Sequence, residues 1–260
     1  MQSSHGQYTE TKAETPLEAN TPYSPLAENA EKSAGQAVAS APAVALTRES
    51  LEAECTNLAS TPHCLAAADS RFYDRLLRYV TMLMQWNARM NLVGATSWQE
   101  AVANLCADSW HLADFLVTLP LPAQPECWDL GAGAGLPGVP LRLVWEDGTY
   151  TLVEAREKRA LFLQSVLAMC QMPGVKVFRG RAEKFMEKAP PADLVVSRAF
   201  LPWEKVLELV GKFMAPEGLV VFLTLVPPPE QLPQGWVVRG AMEYGIVGGG
   251  FRHFWALGKR

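Results

Sequence analysis

Between residues 70 and 90 the apolar side chains Leu76, Leu77, Val80, Leu83 and Met84 recur at three- and four-residue steps. That period is the mark of an amphipathic helix with one buried stripe. The helix begins near Asp69, after Pro62, and runs into Trp86-Asn87-Ala-Arg89-Met-Asn91-Leu92-Val93, where two asparagines mark its end. Upstream, Thr47 is placed to cap a helix that runs through Leu58. Downstream, Ser97-x-x-Glu100 has the form of a capping box for a helix carrying Val102, Leu105 and Cys106. Asp108-Ser109 restarts or kinks that helix, and Leu119-Pro-Leu-Pro122 closes the segment. Residues 47–122 therefore read as an all-helical N-terminal segment.

From Glu126 the rhythm becomes strand, helix, strand. Strands are expected at Cys127–Leu130, Tyr150–Val153, Lys176–Phe178, Leu194–Ser197 and Leu219–Thr224, and helices at Val139–Trp145, Lys158–Cys170 and Trp203–Met214. Such alternation implies a parallel sheet covered on both faces. Right-handed crossovers then bring the loops after successive strands to one carboxyl edge, where ligands bind. Two further strands, Trp236–Met242 and Arg252–Leu257, are joined by a glycine-rich connection and should pair antiparallel at the sheet edge.

The first strand ends in Asp129-Leu-Gly131-Ala-Gly133-Ala-Gly135-Leu136-Pro137-Gly138. Glycines at alternate positions let backbone approach a ligand closely, and a helix start behind them offers free N–H groups. Two ligands fit this spacing. Gly133-x-Gly135-x-x-Gly138, followed about twenty residues on by Glu154, matches the dinucleotide fingerprint. The same loop suits S-adenosylmethionine (SAM), and Asp129 favours it, because a carboxylate at the loop mouth repels a pyrophosphate but attracts the amino and sulfonium groups of SAM. The antiparallel edge pair points the same way. Glu154, at the end of the second strand, is placed to accept both ribose hydroxyls. Arg181-Ala182-Glu183 follows the third strand, where adenine could lie, and Ser197-Arg198-Ala199 follows the fourth, so that Arg198 would project into the same cleft.

Composition narrows the class. The chain has 260 residues, 49% of them hydrophobic, enough for a packed core. Residues 1–46 are rich in Ala, Pro, Ser, Thr and Glu and nearly free of large apolar residues, so they are expected to form a disordered tail. The net charge of −4 means that any nucleic-acid partner needs a local basic patch. One is available in Thr151–Pro190, whose basic residues include Arg156, Lys158, Arg159, Arg179 and Arg181. The five scattered cysteines contain no C-x-x-C and the four histidines no H-x-x-x-H. No metal site or disulfide framework is expected, and neither is a membrane span or signal segment, so the reading is a cytoplasmic monomer with no metal and no membrane partner.

The chain lacks the Asp/Asn-Pro-Pro-Tyr/Phe motif of amino-methylating enzymes after the fourth strand, and it has no cysteine where a pyrimidine-C5 methyltransferase needs its nucleophile. Chemistry without a base fits what remains. Guanine N7 carries an in-plane lone pair and takes a methyl group without losing a proton, so positioning and field would suffice.

Trp86-Asn-x-x-x-Asn91-Leu92, Asp108-Ser109, Asp129-Leu-Gly-Ala-Gly-Ala-Gly-Leu-Pro-Gly-Val-Pro140, Lys158-Arg159-x-x-Phe162-Leu163, Arg181-Ala-Glu183 and Ser197-Arg-Ala-Phe200 occur in that order. Over about residues 70–260 this resembles the RsmG (GidB) family of bacterial methyltransferases, which act on N7 of a guanine in the 530 loop of 16S ribosomal RNA. The resemblance implies an α/β fold of class I SAM-methyltransferase (Rossmann-like) type, a seven-stranded mostly parallel sheet over residues 123–260 behind the helical segment. It places cofactor contacts at Gly131, Leu136, Ala182, Glu183 and Arg198, with Asp129, Gly133 and Glu154 beside them. Arg198 is also the catalytic candidate. Lys158, Arg159 and Arg181 correspond to the family's RNA-facing positions, with the small ribosomal subunit as partner. Two departures fall on the substrate side. Leu105 stands where the family usually has histidine, and Leu225-Val226, followed by Pro227-Pro-Pro229, stands where it has Lys-Gly. A dinucleotide oxidoreductase, a methyltransferase for another RNA and a non-catalytic ribosome- or RNA-binding module are the competing readings.

Overall fold

The computed structural model describes residues 44–58, 60–246 and 248–260. The stretch expected as a tail lies outside them as far as residue 43. Val44–Arg260 form one compact unit. Its helical part consists of α1 (Arg48–Thr56), α2 (Ser70–Met90), α3 (Trp98–Ala101) and α4 (Ala107–Leu116). Thr47 caps α1 as expected, its side chain accepting from the Ser50 N–H. In α2 the buried stripe is Phe72, Leu76, Tyr79, Val80 and Leu83, with Leu77 and Met84 only half-buried at its margin. The helix stops at Asn91, which takes the left-handed conformation with φ 48°, one that asparagine tolerates better than most residues. Ser97 caps α3, but the Glu100 carboxylate reaches back to the Thr96 N–H and not to Ser97, so the capping box is realised one residue early. The kink expected at Asp108-Ser109 falls one turn sooner, as a π-helical turn over Val102–Cys106.

Seven strands follow: β1 (Glu126–Leu130), β2 (Thr149–Glu154), β3 (Val175–Arg179), β4 (Ala192–Arg198), β5 (Met214–Thr224), β6 (Trp236–Gly245) and β7 (Phe251–Lys259). Their spatial order is β3-β2-β1-β4-β5-β7-β6. The first five are parallel, while β7 pairs antiparallel with both β5 and β6. This is the seven-stranded, mostly parallel sheet with an antiparallel edge that the sequence implied. The period of two along each strand splits the core into two layers. Leu194, Val196, Leu219, Val221, Phe254 and Ala256 join the layer shared with the N-terminal helices and α6 (Glu157–Cys170). Val195, Val220, Phe222, Trp255 and Leu257 join the opposite layer with α7 (Ala182–Met186) and α8 (Trp203–Val210).

Two helices differ from expectation. The segment after the glycine loop is helical only over Gly138–Leu141 (α5). Beyond it, the buried Arg142 guanidinium collects the carbonyls of Glu146 and Asp147 at 2.7 and 2.6 Å, which folds the chain into a turn in place of further helix. Conversely, Ala182–Met186 is a short helix that was not among those expected. The N-terminal helices are tied to the sheet layer by Arg75 of α2, which donates to the Cys170 carbonyl at the end of α6 and pairs with Glu146, both at 2.9 Å.

Candidate active site

The glycine loop leaves β1 at the carboxyl edge and is held by hydrogen bonds from three sides. Gly131 N–H and Ala132 N–H both donate to the Val153 carbonyl, at 2.9 and 3.1 Å. Gly133 N–H donates to Glu154 Oε2 at 2.9 Å, and Arg156 N–H to Glu154 Oε1 at 2.7 Å. From the helical segment, the buried Tyr79 hydroxyl donates to the Ala134 carbonyl at 3.0 Å. Glycine is required at two positions for different reasons. Gly131 has φ +75°, and a Cβ there would stand 2.6 Å from the Phe200 ring. A Cβ on Gly138 would stand 2.5 Å from Asp129 Oδ2 and 2.6 Å from Leu152.

In front of the loop lies a cleft of about 270 Å³ lined by Gly131, Glu154, Arg156, Arg159, Ala182 and Phe200, among others. It brings together Gly131 and Ala182 from the expected cofactor set with Glu154. Each Glu154 oxygen already accepts one backbone N–H, but an ionised carboxylate has about four lone-pair sites, so capacity for ligand hydroxyls remains. The ion pair with Lys158 that would compete for it does not form among the described residues. Gly133 joins the site through its N–H. Leu136 is half-buried against the core, and Glu183 is exposed on α7, next to the cleft-lining Ala182.

Asp129 stands behind the loop and not at its mouth. It is 2% exposed, accepts from the Tyr150 hydroxyl at 3.3 Å and does not line the cleft. Burial pushes its carboxyl up to about 7, against the opposing influence of Tyr150, the Gly138 N–H and Arg198. Its position makes it a support for the loop from below. The three basic residues expected to face RNA are spread. Arg159 lines the cleft, Arg181 is exposed at the start of α7, and Lys158 is exposed beside Trp86 and Arg89 of α2. Burial raises all five thiols, Cys170 to about 11 and the others further, so none offers a thiolate nucleophile at neutral pH.

Arg198, at the end of β4, is held by Asp108, which the sequence marked as a helix kink and a motif residue but not as part of the site. Asp108 on α4 is 3% exposed as a side chain; its Oδ2 forms an ion pair with Arg198 Nη2 at 2.9 Å and accepts from Arg252 Nη1 of β7. Its Oδ1 accepts from the Tyr244 hydroxyl of β6 at 2.6 Å. Arg252 Nη1 also donates to the Asn104 carbonyl at 2.7 Å. One carboxylate thus joins the helical segment, the central sheet and its antiparallel edge. The available signal was a lone acid inside the apolar run Ala107-Asp108-Ser109-Trp110, because a buried charge requires partners. The partners, ninety or more residues away in the chain, carry no local signature. Ala199 follows in the left-handed conformation with φ 51°, a strained geometry for alanine of the kind that collects at functional sites. Phe200, which covers Gly131, was likewise named only as a motif residue, with no role assigned to it.

Residues 73–226 match the family described as rRNA small subunit methyltransferase G. A protein of that name from Nitratidesulfovibrio vulgaris is 58% identical over 179 residues, covering 69% of this chain and 82% of the relative. One from Lawsonia intracellularis is 45% identical over 188 residues, covering 72% and 86% respectively. Among solved structures, a putative O-methyltransferase from Klebsiella pneumoniae is similar at a TM-score of 0.48 with 15% identity, covering 70% of this chain and 90% of that one.

Proposed function

Because the chain belongs to the rRNA small subunit methyltransferase G family, we propose that it transfers a methyl group from SAM to N7 of a guanine in the 530 loop of 16S ribosomal RNA. The observation that carries this reading is the cleft at the carboxyl edge, where Glu154, the glycine loop and Ala182 converge; Arg198, expected in the same cleft, lines the adjoining pocket, drawn aside by Asp108. The donor set suits the cofactor. Glu154 retains lone pairs for the ribose hydroxyls, and the backbone about Ala182 suits adenine. SAM supplies the methyl group from a sulfonium that departs as a neutral thioether.

The protein's own contribution is placement. Guanine N7 attacks with a lone pair that needs no deprotonation, so no general base is called for; among the described residues lining the cleft the one carboxylate is Glu154, placed for the ribose hydroxyls. Holding two reactants in line is worth about 7–11 kcal/mol in well-oriented systems. The loop's anchoring to Val153, Glu154 and Tyr79 supplies that rigidity on the cofactor side. Lys158, Arg159 and Arg181 are proposed to meet phosphates of the RNA, with the net charge of −4 confining attraction to this side of the molecule.

The test is transfer of labelled methyl from SAM to small ribosomal subunits prepared from cells lacking this gene. Incorporation that stops at one methyl per subunit supports the reading. A protein that binds SAM and labels no subunit or naked 16S RNA would overturn it in favour of another RNA or a binding role.

A further inference from the structure

Beyond the cofactor cleft, a second pocket of about 210 Å³ opens between Asp108, Arg198, Tyr244 and Arg252, with Leu225 and Phe254 in its wall. Both cavities touch Ala199, so they meet at the end of β4. Two guanidinium nitrogens here, Arg198 Nη1 and Arg252 Nε, are shielded from solvent and have no hydrogen-bond partner among the described residues. Asp108 does not serve them: it meets Arg198 through Nη2 and accepts from Arg252 Nη1 and the Tyr244 hydroxyl. Buried donors left unmade are costly, and those of a cation more so. Two guanidiniums against one carboxylate also leave the group with a net positive charge. The chemistry of the pocket therefore suits an anionic oxygen acceptor.

We propose that this pocket binds a phosphodiester of the RNA strand that presents the acceptor guanine, held by Arg198 and Arg252. The inference rests on the methyltransferase reading above. The direction of charge movement selects phosphate over a base carbonyl. Methyl transfer shifts a positive charge from sulfur to the purine. A guanidinium laid against the base would oppose that shift, whereas a guanidinium-bound phosphate places negative charge nearby and favours it. The planar guanidinium fork also matches phosphate geometry. Arg252 is then a substrate-binding residue contributed by the antiparallel edge of the sheet.

Arg252→Ala and Arg252→Lys in the full chain test this with small subunits lacking the methyl group. The KM for subunits should rise about 10- to 100-fold in Arg252→Ala, while the SAM Kd by calorimetry stays within about twofold. The slope of log KM against log salt should fall by about one, and Arg252→Lys should recover part of the loss. A rise in SAM Kd matching the rise in KM would overturn the proposal, because the anion held would then be the cofactor's own carboxylate. An unchanged KM and salt slope would overturn it as well. Inorganic phosphate gives a readout on the wild-type chain that survives misfolding of the variants. It should compete with subunits and not with SAM, and the absence of such competition contradicts the assignment. If the wild-type chain transfers no methyl at all, the methyltransferase reading fails, and stabilisation against heat by inorganic phosphate still reports on the pocket.

Discussion

Replacing Asp129 by asparagine should remove a pH dependence of stability that the wild-type chain carries. The carboxyl is 2% exposed, and burial lifts it to about 7 despite the favourable Tyr150 hydroxyl, Gly138 N–H and Arg198 charge. In the unfolded chain an aspartate titrates near about 3.9. Between these values the folded chain keeps a proton that the unfolded chain has released. The stabilisation from this group is therefore full below about pH 4 and is lost as pH rises through about 7. A difference of about three pKa units corresponds to about 4 kcal/mol in all, and about 3 kcal/mol of it falls between pH 5 and 8. Urea unfolding of both proteins at pH 5, 6, 7 and 8 measures it, since subtracting one curve from the other cancels the remaining titrating groups. The stability of Asp129→Asn relative to wild type should climb with pH up to about 7 and then level off. Parallel curves would refute the reasoning, because they would mean that the buried carboxylate is already charged throughout this range.

Other substitutions probe the cleft and its rim. Glu154→Gln cannot accept from both Gly133 and Arg156 and still serve ribose hydroxyls; its SAM Kd by calorimetry should rise about tenfold or more. Gly138→Ala forces a methyl group to within 2.5 Å of Asp129 Oδ2 and 2.6 Å of Leu152, and should cost about 1–3 kcal/mol in urea unfolding. Lys158→Ala, on the exposed rim beside Trp86 and Arg89, should leave SAM affinity intact, weaken binding to small subunits and flatten its salt dependence by about one in log–log slope.

The parts of the fold that were legible in the sequence are those with a local cause. Each strand shows a short apolar run, and the glycine loop announces itself because close backbone contacts exclude side chains at Gly131 and Gly138. The helix after the loop was over-read, because Val139–Trp145 is apolar apart from Arg142 and periodicity does not reveal that the Arg142 side chain will end it. In α2 the stripe was read about a sixth of a turn off, since Tyr79 is buried for its hydrogen bond to the loop as well as for its ring. Asp129 was read as a ligand group from its place in the motif, whereas burial behind the loop depends on Tyr150, twenty-one residues away. The Asp108, Arg198, Tyr244 and Arg252 group is assembled from four separate elements, and no pattern along the chain encodes such a meeting.

The central claim is the identity of the methylated atom. After reaction with SAM, 16S RNA from the treated small subunits is reduced with borohydride and cleaved with aniline, which breaks the chain at N7-methylguanosine. The account predicts one new cleavage, within the 530 loop, absent when SAM is withheld. Incorporated methyl groups with no such cleavage, or with cleavage elsewhere in the RNA, would contradict it.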